Sequence, residues 1–123
     1  MAKSDAVVAV VDDDPRMLES MEDLLESANY SVCCFASAES LLARGLSGVD
    51  VLITDIGMPG MDGFELRDAV KNLRPDLPVI LITGRHELVD DGRAGPVSRF
   101  FHKPFDSQAL LGAINDALRD RKA

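Results

Sequence analysis

No run of apolar residues in these 123 positions comes near the roughly 20 that a membrane-spanning helix requires. The amino terminus lacks the basic stretch leading into an apolar segment that marks an export signal. Both absences point to a soluble, cytoplasmic protein with no membrane partner. Cysteine is scarce as well: the two present are neighbours, Cys33 and Cys34, a spacing that builds neither a disulfide framework nor a zinc site. On a strand they face opposite ways, so at most one enters a core. Positive charge is also in short supply. Against 21 Asp and Glu stand 13 Lys and Arg, giving a net charge of −8, which repels a phosphate backbone and argues against direct nucleic-acid binding. With 46% hydrophobic residues the chain has material for one core, and the expected organisation is a single domain over 1–123.

What is present is an alternation of short β-like runs with longer helical patterns. Ala6 to Val11 reads as a buried strand and stops at Asp12-Asp13-Asp14-Pro15. Pro15 suits a first helical turn, Asp14 its cap, and Met17, Leu18, Met21, Leu24, Leu25 and Ala28 recur on one helical face. Ser31 to Phe35 is a second strand, after which Ser37 caps a short helix that Gly45 ends. Val49 to Thr54 runs straight into Asp55 and the turn-rich stretch IGMPGMDG, and Asp62 with Glu65 forms a capping-box pattern for the next helix. Val79 to Thr83 and Ser98 to His102 complete the strands, and a final helix, capped by Asp106 or Ser107, presents Leu110, Leu111, Ile114 and Leu118. Between those two strands, Gly84 to Pro96 holds glycines and acids and few apolar residues, so a fourth helix there is expected to be short or irregular. The fold class expected is α/β: a doubly wound, five-stranded parallel sheet with helices on both faces.

In such sheets ligands bind beyond the carboxyl ends of the strands. Asp12 and Asp13 follow the first strand, Asp55 the third, Thr83 ends the fourth, and Lys103 follows the fifth. Taken singly, Thr83 reads as an ordinary strand-end threonine and Lys103 as a solvated lysine; their convergence on one edge of the sheet gives them weight. Three carboxylates in one cleft repel each other and call for a hard cation. Magnesium fits because it accepts few carboxylates, keeps several waters and leaves positions for phosphate oxygens.

The blocks VVDDDP, VLITDIGMPGMDG, ILITG and FFHKPF, in that order, resemble the signature blocks of response-regulator receiver domains over essentially the whole chain. LITDIGMPGMDGFEL and ILITG are similar to regulators of the nitrogen-fixation type. The resemblance implies a flavodoxin-like fold, like that of the chemotaxis regulators. It implies that Asp55 accepts a phosphoryl group from a sensor histidine kinase or phosphotransfer protein. Asp13 would bind magnesium directly, Asp12 through a water, and the Gly57 carbonyl would add a ligand. Lys103 would pair with the phosphoryl group. Thr83 and Phe100 would form the switch that alters a surface read by a downstream protein or output domain, although Phe100 equally suits a plain core aromatic. Gly57 and Arg85 sit where the family governs access of water to the acyl phosphate, and a solvated loop residue is an equal reading of Arg85. A homodimer stays open as an assembly.

Three rival readings compete. An aspartyl-phosphate enzyme would place a second aspartate two residues after the nucleophile, where this chain has Gly57. A nucleotide or flavin module would need a glycine-rich loop after the first strand, where this chain has DDDP. A degenerate receiver would act as a phosphorylation-independent interaction module, but Asp12, Asp13, Asp55, Thr83 and Lys103 are all in place. The expectation is therefore a signalling domain and not an enzyme acting on an external substrate.

Overall fold

A computed structural model describes residues 6–83, 100–102 and 106–122. Its elements in chain order are β1 (Val7–Val11), α1 (Pro15–Ser27), β2 (Ser31–Phe35), α2 (Ala38–Arg44), β3 (Val51–Asp55), α3 (Gly63–Leu73), β4 (Val79–Thr83), β5 (Phe100–His102) and α4 (Ser107–Lys122). The strands hydrogen-bond in the order β2-β1-β3-β4-β5, every pair parallel. This is an α/β, flavodoxin-like sheet. The segment Gly84–Pro96, where a short or irregular helix is expected, and positions 98 and 99 of the expected fifth strand lie outside the described residues.

Alternation along the central strands places apolar side chains on both faces of the sheet, the pattern of a parallel sheet covered on each side. From β1, Val8 and Val10 join Met21 and Leu25 of α1 and Leu110, Ile114 and Ala117 of α4 in one core. Ala9 and Val11, on the opposite face, join Leu41 of α2 and Leu66 and Val70 of α3 in a second. Helices α1 and α4 thus cover one face, and α2 and α3 the other.

The helix starts follow local chemistry. Asp14 caps α1 by accepting from the Arg16 amide, with Pro15 in the first turn. Ser37 caps α2 by accepting from the Ser40 amide at 3.1 Å. Asp62 and Glu65 form a complete capping box at α3, and Asp106 accepts from the Ala109 amide at the start of α4. Three strand boundaries differ from expectation, the first being the start of β1, which begins at Val7 and not Ala6. Strand β3 begins at Val51, because the Val49 amide closes a turn onto the Leu46 carbonyl instead of entering the ladder. At its other end β3 extends to include Asp55, whose ladder partner is Ile82.

Candidate functional site

The strand order reverses direction between β1 and β3. From β1 the chain passes to β2 on one side, while β3 continues to β4 on the other, so the connections diverge and open a crevice at their carboxyl ends. The ladder pairs Val11 with Thr54 as its last described β1–β3 partners. Asp12 and Asp13 follow on one strand and Asp55 on the other, which brings the acids to the same place by register alone.

One carboxylate oxygen from each of Asp12, Asp13 and Asp55 lies within 4.8 Å of the others. Asp12 is 3% exposed and Asp55 7%, while Asp13 faces solvent. Two unit negative charges about 5 Å apart repel by roughly 3 kcal/mol at an effective dielectric near 20. A cluster of this kind could hold a compensating cation, and an all-oxygen carboxylate set suits a hard divalent ion. The run of three acids after β1 is divided by geometry. Asp12 accepts the Asp14 amide at 2.9 Å, which fixes its carboxylate, while Asp14 turns away to cap α1.

Thr83, 1% exposed, ends β4 one residue beyond Ile82, the partner of Asp55. It stands on the strand next to β3, at the same sheet edge. Gly57 lies two residues past Asp55 in the connection to α3 and is exposed. Phe100 pairs with Leu81 in β5, and its neighbour Phe101 packs against the core under α1 and α4. Lys103 and Arg85 lie outside the described residues.

Two features of this edge have no counterpart in the sequence reading. The buried Thr54 hydroxyl donates to the Asp55 carbonyl at 3.0 Å. Gly63, the first residue of α3, packs so closely on the end of β3 that a Cβ there would meet the Asp55 carbonyl oxygen at 2.5 Å and the Ile56 Cα at 2.7 Å. Only glycine allows α3 to start this near the acidic strand end. The signal for it was the glycine directly after a capping aspartate. The cysteines stay apart from this chemistry: Cys33 is half-buried and Cys34 exposed, both are free, and burial foremost raises the Cys34 thiol, making it a weak nucleophile.

Comparison with known proteins bears on the family and the fold. The family described as "Response regulator receiver domain" matches residues 8–115. The response regulator protein TodT of Pseudomonas putida is 37% identical over 123 residues, which cover 97% of this chain and 54% of TodT. The C4-dicarboxylate transport transcriptional regulatory protein DctD of Rhizobium meliloti is 37% identical over 94% of this chain and 26% of its own length. The chain thus spans about half the length of one relative and about a quarter of the other. Among solved structures, the signal receiver domain of an HD domain-containing protein from Pseudomonas fluorescens superposes with a TM-score of 0.88 at 28% identity, covering 97% of this chain and 98% of that one. The response regulator protein TrrA of Thermotoga maritima, solved in complex with Mg(2+)-BeF, gives 0.83 at 26% identity over 92% and 99%. Sheet order, acidic edge and family match converge: the chain belongs to the response-regulator receiver domains, the signalling domains of two-component systems.

Proposed function

We propose that Asp55 accepts a phosphoryl group from the phosphohistidine of a sensor kinase or phosphotransfer protein, in a magnesium-dependent reaction, and so switches a protein-interaction surface. The observation that carries this reading is the convergence of Asp12, Asp13 and Asp55 oxygens within 4.8 Å at the β1/β3 crevice. A carboxylate oxygen of Asp55 attacks phosphorus. An O–P bond forms, the N–P bond of the donor breaks, and its electron pair returns to the imidazole nitrogen. Asp12, Asp13, Asp55 and the Gly57 carbonyl would hold magnesium, which when bound supplies positive charge against the transferring group and the clustered acids. The magnesium complex of the Thermotoga relative supports that choice of ion.

The remaining assignments rest on the resemblance and on position. Lys103 pairs with the new phosphoryl oxygens. Thr83, at the end of the strand beside β3, follows them through its hydroxyl, and Phe100 of β5 responds to the space that opens. The consequence is read by a downstream protein or an output domain, in the cytoplasm, without direct nucleic-acid contact by this domain.

Incubation with acetyl phosphate, with and without magnesium, followed by intact mass, tests the reading. The wild type is expected to gain one phosphate only with magnesium, and Asp55→Asn none. Magnesium binding by a wild type that never gains mass would move the reading to a phosphorylation-independent interaction module.

A further inference from the structure

The connection between Asp55 and α3 is pinned at both ends. Ile56 donates its amide to the Ile82 carbonyl, Gly63 donates back to the Ile56 carbonyl at 2.9 Å, and the capping box fixes Asp62. Residues 57–62 therefore form a closed loop, in which the Met58 amide turns back onto the Ile56 carbonyl at 3.0 Å and the stretch beyond it must be held by something else. Met58 anchors one part by burial in the core under α2 and α3. The rest contains Gly60, whose φ of +75° lies in the left-handed region, and Met61.

A side chain from another element reaches this stretch. Glu39, in the first turn of α2, accepts the Met61 amide on Oε2 at 3.2 Å. The same oxygen stands 3.1 Å from the position a Cβ on Gly60 would take, so carboxylate and loop backbone are in close contact. The Ser37 cap, accepting from the Ser40 amide, fixes the helical turn from which Glu39 projects.

We infer that Glu39 is a positioning residue for phosphoryl transfer: by holding the Met61 amide it sets the backbone of the 57–62 loop, and hence the place of the Gly57 carbonyl beside Asp55. The inference rests on the phosphoacceptor reading above. A glutamine keeps an oxygen that accepts the same amide, whereas alanine leaves the amide to water, so the acceptor and not the charge is what the loop requires.

The test compares wild type, Glu39→Gln and Glu39→Ala by two readouts: amide hydrogen exchange at Met61 without magnesium or phosphodonor, and the rate of phosphate gain from acetyl phosphate at subsaturating magnesium. Glu39→Ala is expected to exchange the Met61 amide about three- to tenfold faster and to take phosphate more slowly by a similar factor, the size of one net hydrogen bond. Glu39→Gln is expected to stay close to wild type in both and in melting temperature, and Glu39→Ala to melt lower only by the few degrees that one net hydrogen bond is worth. Unchanged Met61 exchange in Glu39→Ala, or a glutamine variant as slow as alanine, overturns the inference. So does faster exchange without slower phosphate gain. A wild type that gains no phosphate while Met61 exchange responds to Glu39→Ala overturns the phosphoacceptor reading, and the positioning role with it, while leaving the loop contact itself measured.

Discussion

At the amino ends of the strands charged groups are matched, whereas at the carboxyl ends three of like sign are crowded together. Arg74, just past α3, donates to the Leu46 carbonyl at 2.8 Å and the Val49 carbonyl at 3.1 Å, and pairs with Asp76 at 3.1 Å. Its pKa is raised, first by the hydrogen bond to Asp76. Asp50 accepts the Val7 amide at 2.8 Å and so extends the β1–β3 ladder by a side chain. At the other edge, Asp12, Asp13 and Asp55 converge with the same sign. One end of the sheet uses polar groups to secure the fold, and the other crowds three like charges at one crevice, the kind of local conflict expected at a site.

The comparison breaks most visibly if the amino end is made to resemble the carboxyl end. Arg74→Ala removes the donor from two loop carbonyls and takes the guanidinium away from Asp76. The loss expected is about 2 kcal/mol of stability, nearly all of it from the part-buried carbonyls. The half-exposed pair with Asp76 adds little, because solvent screens it. Urea unfolding measures this directly. A change within error of zero would mean that water replaces the guanidinium without cost, and the amino end would lose its claim to be structural.

A smaller effect of opposite sign is expected at the acidic edge. Asp12→Asn keeps an oxygen for the Asp14 amide but removes one of the converging charges. Without divalent cation the variant should be more stable than wild type by about 1 kcal/mol, the part of the repulsion that survives relaxation and solvent. Millimolar magnesium should reverse the order, since an ion that binds only the folded wild type adds its binding free energy to stability. Melting temperatures of both proteins in chelator and in magnesium decide it. A variant less stable than wild type in chelator would show that the acids are not in conflict.

How far the sequence carried this picture depends on the range of the interaction concerned. β1 was readable because Val8 and Val10 serve one core and Ala9 and Val11 the other, which makes a continuous apolar run. The caps at Asp14, Ser37 and Asp62 were readable because each acts within three residues. The convergence of Asp12, Asp13 and Asp55 followed from strand ends in a parallel sheet, a consequence of topology available before any coordinate. The start of β3 was misjudged by two residues because an amide-to-carbonyl turn leaves no trace in apolar pattern. Gly63 and Glu39 were missed for a related reason. The first matters through a close approach to β3, and the second through a contact between residues 22 apart in the chain. Neither shows in a periodicity.

The smallest expected effect concerns titration at the amino end. Tyr30 stands just before β2, and its hydroxyl donates to the Asn115 side chain of α4 at 3.2 Å. Burial raises its pKa above the ordinary 10.0, so the folded state favours the neutral phenol. The stabilisation is present in full below the ordinary value and is lost as pH rises through the raised one. The phenol is only partly buried, so the loss should be slight. It is read as the difference in melting temperature between wild type and Tyr30→Phe, which should narrow from about pH 9 to about pH 11 as wild type loses ground. A difference that stays constant with pH would mean the phenolate is as well accommodated as the phenol, and the matching of polar groups at that end would stop short of Tyr30.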